Sequence, residues 1–368
     1  MAGVLVHEWI SQSGGSENVL QAMSEVYPDA DIVCLWNEST GRFAPERLRE
    51  SWLAHSPLRR SKAAALPFMP AIWRRRRNLG YEWALISSHL FAHHVRFIPQ
   101  PRDFCRFVYV HTPARYIWAP DLDGRGQGPA ARTVAAVLKP LDRRRAQQPA
   151  TYAANSDFVR RRMAEAWGVE AKVIYPPVDV TEIQRVGDWT TRLTTEESEI
   201  VARLPDGYLL GASRFVPYKR LDLVIKAGEA AGRPVVLAGH GPELPRLHAA
   251  AETATVPVRF VGRPSGALLR ALYQEAAVFA FPAVEDFGIM PVEAMAAGAP
   301  VLAQEIGGTA ESVLPGVTGA LCTFASRTAM REGIETALAT RRTDRLRHAG
   351  TFRAERFCQE IRSWVGAP

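Results

Sequence analysis

The chain has 368 residues, 47% of them hydrophobic and 23% charged, with a formal net charge of +7. That length suits two domains of about 150 residues. The balance is that of a globular protein rather than a disordered one, and no apolar run approaches the ~20 residues of a membrane span.

Four cysteines, Cys34, Cys105, Cys322 and Cys358, stand far apart without a Cys-x-x-Cys pair. Neither a zinc site nor a disulfide framework is indicated, and a reducing cytoplasm fits. The opening residues read as a first strand, Gly3–Val6, and not as a signal peptide with a basic start. Ser13-Gly14-Gly15-Ser16-Glu17 follows. The glycine pair lets the backbone come close to a ligand, and a helix from about Glu17 to Val26 aims its N-terminus there. Further strands are expected at Ile32–Leu35, Ala84–Ser87, Phe107–Val110, Thr151–Ala154 and Lys172–Tyr175. His111 sits just past the Phe107–Val110 strand, in Val110-His111-Thr112-Pro113. With an unperturbed pKa near 6.5, a histidine there can donate, accept or relay a proton. Arg115, Tyr116 and Trp118 follow. They are candidates for the acceptor side, with plain packing as the competing reading. Asp121-Leu122-Asp123 has the spacing of a metal clamp, but lies in a Gly-rich stretch with no strand before it; no metal role is expected. Ser156, after Asn155, reads as the N-cap of the next helix.

The positive charge lies in the first half. Residues 1–180 hold 24 Lys and Arg against 17 Asp and Glu, whereas residues 181–368 hold 21 of each. Arg59, Arg60, Lys62 and Arg74 to Arg77 are interleaved with Trp52, Leu53, Leu66, Phe68, Met69, Ile72 and Trp73. Such a mixture suits an anionic membrane surface. A plain solvated face competes with this, and no nucleic-acid-binding motif supports a third reading.

Residues 181–205 break the alternation of strands and helices and read as a linker between domains 1–180 and 206–350. Beyond it, strands are expected at Tyr208–Ala212, Val235–Ala238, Val258–Val261, Val278–Phe281, Val301–Ala303 and Ala320–Thr323, with helices such as Leu221–Ala231 and Pro264–Glu275 between them. β-runs alternating with helical ones predict parallel sheets covered by helices. The fold class is therefore α/β, two Rossmann-like doubly wound domains in series. Arg214 and Lys219 stand in the loop after the first of these strands. Two cations there can hold a diphosphate, Arg through two donors and Lys as a point charge. Gly239-His240-Gly241 lacks the third glycine of a dinucleotide fingerprint and reads as a turn. Arg263 follows the edge of the Val258–Val261 strand.

The densest signal is Val284 to Gly298. Glu285 lies in the loop after a strand, Phe287-Gly288-Ile289 forms a turn, and Glu293 falls in the first turn of a helix containing Pro291 and ending at Gly298. Open α/β sheets bind ligands at that edge, and helix N-termini bind anions. Hydroxyls for the carboxylates and a phosphate for the amides together describe a nucleotide sugar.

Glu-x7-Glu followed by Ala-Met-Ala-Ala-Gly resembles the signature of the retaining glycosyltransferases of family 4, which have the GT-B fold. Across roughly Val4 to Leu321, the segments His-Thr-Pro-x-Arg-Tyr-Ile-Trp, Ile-Tyr-Pro-Pro-Val-Asp, Val-Pro-Tyr-Lys-Arg and Glu-Asp-Phe-Gly-Ile are similar to a bacterial branch of O-antigen and exopolysaccharide mannosyltransferases. Val110 stands where that branch often has Cys, a conservative change. The resemblance implies two domains facing across a cleft, with a terminal helix (about 350–368) crossing back onto the first. It implies Arg214, Lys219, Glu285 and His111 as catalytic residues. Gly14, Gly15, Arg263, Phe287, Gly288, Ile289 and Glu293 would bind the donor. No cofactor and no metal are implied. The expected reaction is retaining transfer of a sugar, with GDP-mannose as favoured donor, to a glycan or lipid-linked acceptor. The expected location is cytoplasmic, peripheral on the inner membrane face. Alternatives are a UDP-sugar used on a small-molecule acceptor and, less favoured, a nucleotide-sugar 2-epimerase.

Overall fold

The computed structural model describes residues 2–12, 14–120 and 128–366, the side chains of 129–131 excepted. Asp121 and Asp123 lie outside the described residues.

In the first half the strands are β1 (Gly3–His7), β2 (Asp31–Val33), β3 (Leu48–Arg49), β4 (Arg76–Arg77), β5 (Trp83–Ser88), β6 (Phe97–Ile98), β7 (Cys105–Val110), β8 (Thr151–Ala154) and β9 (Lys172–Val173). Seven form one sheet in the order β3-β2-β1-β5-β7-β8-β9, while β4 and β6 pair apart from it. Every pairing in the larger sheet is parallel. In the second half, β10 (Leu209–Ala212), β11 (Val235–Ala238), β12 (Val258–Gly262), β13 (Val278–Phe281), β14 (Val301–Gln304) and β15 (Gly319–Cys322) give a sheet ordered β12-β11-β10-β13-β14-β15. It too is all parallel.

The central strands are apolar runs because helices cover both faces. Val4, Leu5 and Val6 are fully buried, as are Leu209, Leu210, Val235, Val236 and Leu237. In each sheet the chain starts in the middle and builds outward both ways. The order therefore reverses beside β1, next to β5, and beside β10, next to β13. Ligand crevices in open α/β sheets form at the carboxyl ends of such strand pairs.

The chain divides into two units, Met1–Pro177 with Ala354–Pro368, and Val178–Arg353. The terminal helix Ala354–Val365 thus belongs to the first unit. Phe357, Ile361 and Val365 recur every four residues and enter the core that holds Leu5, Val19, Met23 and Tyr109. Burying Phe357 and Ile361 contributes roughly 1.5–3 kcal/mol each. Arg356 adds a bond to the Tyr175 carbonyl at 2.8 Å.

Residues 181–205, expected as a linker, are helical and lie within the second unit. Helix Thr195–Ala202 starts with a capping box, Thr194 with Glu197. Trp189 is buried and donates to the Ile183 carbonyl at 3.0 Å. The polar composition concealed a packed segment whose Thr-x-x-Glu spacing carried the helix signal.

A buried carboxylate organises the first unit. Asp142, on helix Pro129–Ala146, is fully buried. The indole N–H groups of Trp118 and Trp167 each donate to Oδ2 at 2.7 Å. His94 Nε2 and His93 Nε2 lie 2.9 and 3.1 Å from Oδ1. Burial works to raise the Asp142 pKa, but the two imidazoles overcome it and hold the group below the ordinary carboxylate range. Burial keeps His94 neutral, pushed down to about 4. Asp142→Ala would strand three buried donors, those of Trp118, Trp167 and His94. A loss of about 3–5 kcal/mol is expected from breaking one side of such a buried set, read as a lower denaturant midpoint. A midpoint like wild type would show that the donors find other partners.

Candidate functional site

The second sheet's reversal point gathers the strongest candidates. After β10 the chain runs through Arg214 to a short 3-10 turn, Pro217–Lys219. Arg220 then takes a left-handed φ of 51° and turns the chain into helix Asp222–Ala231. After β13, on the neighbouring strand, comes Glu285. Lys219 Nζ donates to Glu285 Oε1 in a short contact. These two side chains are only 12% and 15% exposed. The ammonium stands 5.4 Å from both the Tyr218 and Phe281 ring centroids. Arg214 is exposed, and donates to the Tyr218 hydroxyl at 3.0 Å. One ion pair thus joins two loops that are 66 residues apart in sequence.

The Glu285 loop is braced from behind. Gly308 N donates to the Glu285 carbonyl at 2.8 Å. A Cβ on Gly307 (φ 107°) would come 2.8 Å from that same carbonyl oxygen. Gly307-Gly308 was not among the expected site residues; a glycine pair two residues beyond β14 is the signal that marks it. Gly288 caps helix Ile289–Ala297 with φ 85°, and any side chain there would run into Thr309 Oγ1. Ile289 and Met290 lie in the first turn, where amides lack intrahelical acceptors. The helix starts two residues before Pro291, so Glu293 is its fifth residue and sits past the first turn. Glu293 is partly buried, and burial pushes its pKa up to about 7, opposed by Arg270 and reinforced by Asp179. Phe287 does not reach outward as a donor contact would: it is 3% exposed, with its ring 5.6 Å from Phe352. Arg263 is exposed just beyond β12. Gly239-His240-Gly241 is a turn that grips the chain next to Arg214, with Phe215 N donating to the His240 carbonyl at 2.9 Å.

The first unit's candidates form a separate cluster at its own strand ends. Ser87 Oγ lies 3.0 Å from His7 Nδ1 and 2.8 Å from His111 Nε2. These residues come from β1, β5 and the end of β7. A hydroxyl has one proton and two lone pairs, so at most one of the two ring nitrogens accepts from Ser87 and at least one donates to it; the two tautomers are coupled. Burial pushes both His7 and His111 down to about 3, and their mutual repulsion helps His111. His89 stands edge-on, 5.5 Å from His7 and 6.3 Å from His111. His111 is therefore a neutral imidazole at physiological pH rather than one poised near 6.5.

The Gly14-Gly15 loop differs from expectation. The Glu17 carboxylate is 4% exposed and folds back against it, accepting from Ser11 N at 3.1 Å and Ser16 Oγ at 2.8 Å. A carboxylate already occupies the electropositive start of that helix and opposes an incoming phosphate. Arg115 and Tyr116 are half-buried. Trp118 turns its N–H inward to Asp142, so its polar atom is committed to the core. Ser156 accepts from Val159 N at 3.1 Å, the N-cap the sequence predicts. Arg162 ties its helix to the His-Thr-Pro turn through Thr112 Oγ1 at 3.0 Å. Among the described residues one group could gather a metal, His93, His94 and Asp142, with ligand atoms within 4.8 Å of one another. It is the buried set already held by two indoles.

Residues 194–351 match the family model of the glycosyl transferases, group 1. The matched residues lie within the second unit. A GDP-mannose-dependent alpha-(1-6)-phosphatidylinositol monomannoside mannosyltransferase of Mycobacterium tuberculosis (strain CDC 1551 / Oshkosh) is 32% identical over 179 residues, 45% of this chain and 46% of that protein. A D-inositol 3-phosphate glycosyltransferase of Actinosynnema mirum is 30% identical over 215 residues, 50% of each. The chain thus spans about half the length of the curated relatives it matches. Among solved structures, Anabaena Alr3699/HepE in complex with UDP-glucose has a TM-score of 0.71 over 100% of both chains at 19% identity. Sucrose-phosphate synthase from Thermosynechococcus elongatus has a TM-score of 0.70 at 15% identity, over 99% of this chain and 98% of that one. The two Rossmann-like units are those of the GT-B fold.

Glu293 sets a pH signature. Its folded pKa is raised above the ordinary 4.5 to about 7. The stability tied to its protonated form is present below pH 4.5 and lost as pH rises through 7. Thermal melts should show that decline, and Glu293→Gln should flatten it by on the order of 2 kcal/mol. An identical slope in the variant would place the raised pKa elsewhere, with Glu8, also pushed up to about 7 by burial, as the next group to replace.

Proposed function

We propose that the protein is a retaining, metal-independent glycosyltransferase that moves a sugar from a nucleoside diphosphate to a hydroxyl of a glycan or lipid-linked acceptor. The observation that carries this is the Lys219–Glu285 pair with Arg214 at the reversal point of the second sheet. Departure of a nucleoside diphosphate builds negative charge on its phosphates. Fixed donors aimed at that charge are the largest lever an enzyme has. Arg214, Lys219 and the Ile289 and Met290 amides provide such donors without a metal.

Before substrate arrives, Glu285 neutralises Lys219 and holds it in place. A diphosphate would take over the ammonium, and Glu285 would turn to the sugar hydroxyls. Glu293 would hold the ribose diol, and the Arg263 backbone the base. The motif resemblance assigns no carboxylate as a nucleophile on the sugar's far face. We therefore favour same-face substitution, in which the leaving phosphate deprotonates the acceptor hydroxyl. Neutral His111 would contribute a hydrogen bond to the transferred sugar and not a positive charge. GDP-mannose is the favoured donor, supported by the motif resemblance and by the mycobacterial relative's name. The Anabaena structure binds UDP-glucose, which supports a UDP-sugar, used on a small-molecule acceptor, as the second reading.

Lys219→Ala should cut transfer by ~10²-fold or more while leaving the fold intact, and wild-type transfer should survive chelation by EDTA. Near-normal turnover by the variant, or strict dependence on added manganese, overturns the respective half of the reading.

The membrane reading also belongs here. No helix among the described residues is long and apolar enough to cross a membrane. Trp52 and Phe68 are 53% and 44% exposed, and their rings pack edge-to-face at 5.9 Å. Arg60 and Lys62 are exposed nearby in sequence. Arg74 and Arg76, by contrast, spend donors on Gln148 and on the Arg49 carbonyl, both at 2.9 Å. The set we propose to face lipid is therefore Trp52, Arg60, Lys62 and Phe68. Replacing all four by Ser should weaken binding to anionic vesicles by about 1 kcal/mol per basic residue, plus the aromatic contribution. The effect should fade near 1 M salt, where screening shortens to about 3 Å. Equal binding of wild type to neutral vesicles at low salt would remove the membrane from the reading.

A further inference from the structure

A cavity in the first unit has no part in the chemistry above. It holds about 350 Å³ and is lined by Trp118, Lys139, Pro140, Arg143, Arg144 and Gln147. Its aromatic wall is fixed, because the Trp118 indole N–H is anchored on buried Asp142 at 2.7 Å. Lys139 Nζ and Arg143 Cζ stand 5.5 and 5.4 Å from the centroid of that ring. Arg143 is itself held, donating to the Ala166 carbonyl at 2.7 Å. The lining has three cations and no carboxylate. The one acid on this stretch of helix, Asp142, faces the core. More positive charge lies close by: Arg74 is bonded to Gln148, and burial together with Arg145, Arg96 and Arg106 pushes its pKa down to about 10.

An apolar strip leads to this cavity. Val134 and Val137 on the same helix are 46% and 70% exposed. Val137 and Arg144 are seven residues apart, two helical turns, and share a face. Basic residues in a last helical turn are expected from the helix dipole alone. The dipole does not account for an anchored indole wall or for exposed valines on the line of approach.

We propose that this cavity is a subsite for a phosphate or diphosphate group carried on an apolar chain. Lys139, Arg143 and Arg144 hold the phosphate, and the chain runs along Val137 and Val134. The inference rests on the lipid-linked acceptor proposed above and gives that acceptor a place on the first unit.

The test is equilibrium dialysis of three probes, farnesyl diphosphate, inorganic pyrophosphate and farnesol, at roughly 0.15 M salt. They are compared on wild type, Lys139→Glu/Arg144→Glu and Lys219→Ala, with nucleotide-sugar binding followed in parallel. Farnesyl diphosphate should bind saturably to wild type, pyrophosphate more weakly, and farnesol not saturably. The double charge reversal should weaken farnesyl diphosphate by at least about tenfold and leave nucleotide-sugar binding unchanged, while Lys219→Ala keeps farnesyl diphosphate within about twofold of wild type. Undiminished binding in the double variant overturns the proposal, as does loss in Lys219→Ala, which would put the probe in the nucleotide site. Pyrophosphate binding as well as farnesyl diphosphate would reject the apolar chain, and farnesol doing so would reject the phosphate. Failure of wild type to bind any nucleotide sugar would sink the transferase reading while leaving the farnesyl diphosphate comparison intact.

Discussion

The ion pair between Lys219 and Glu285 is the contact that ties together the two loops at the second sheet's reversal point. Each partner sits at the end of a neighbouring parallel strand, and the strand order puts those ends side by side. A parallel pair delivers its carboxyl ends to one edge, so two loops far apart in sequence meet by construction. The rest of the site is built to hold them still. Gly307 and Gly308 press on the backbone of Glu285, and the Gly-His-Gly turn grips the chain beside Arg214. With side chains 12% and 15% exposed, the pair is screened less than a surface pair. An ammonium neutralised by its own carboxylate does not repel the fold, yet it remains a cation for a stronger anion.

The first unit solves a different electrostatic problem. It packs His7, His89, His93, His94 and His111 near its strand ends, and burial keeps several of these rings neutral. The Asp142 carboxylate there receives the indole N–H groups of Trp118 and Trp167 and pairs with His94 Nε2, with His93 Nε2 at 3.1 Å. It also fixes Trp118 and Trp167 in place, because each indole has only one donor to give. Rigidity at the His-Thr-Pro turn follows from a separate tie, Arg162 to Thr112.

Much of this was legible in the sequence, for definable reasons. Strands buried on both faces must be apolar throughout, so β8, β11 and β13 matched the expected boundaries residue for residue. Loops at strand ends carry their charge openly, so Arg214, Lys219 and Glu285 stood out. What remained hidden was whatever depends on a side chain's direction. Phe287 and Trp118 belong to suggestive motifs, yet they point into cores. Glu17 lies three residues from a glycine pair, and nothing in that spacing says its carboxylate bends back over the pair. The His7–Ser87–His111 chain joins three strands and has no signature along one. Residues 181–205 looked like a linker because polarity was weighed above the capping-box spacing.

The uneven charge shows the same division between what composition says and what geometry decides. The net excess of the first half reads as one basic surface, but the fold spends much of it internally. Arg106 is buried against the His93 carbonyl, and Arg47 donates to Ala30, Tyr27 and Ser24. Arg74 and Arg76 hold neighbouring segments together. A guanidinium with five donors suits this use, since it can satisfy several carbonyls while keeping its charge. Among the cations left exposed, which include Arg75, Arg77, Arg102 and Arg161, two groups stand beside exposed apolar side chains: the edge near Trp52 and Phe68, and the end of the helix beside Trp118. Each combines positive charge with an exposed apolar side chain. That pairing distinguishes both from the plain solvated face that charge alone would suggest, and it is the feature on which the proposed anionic amphiphile depends.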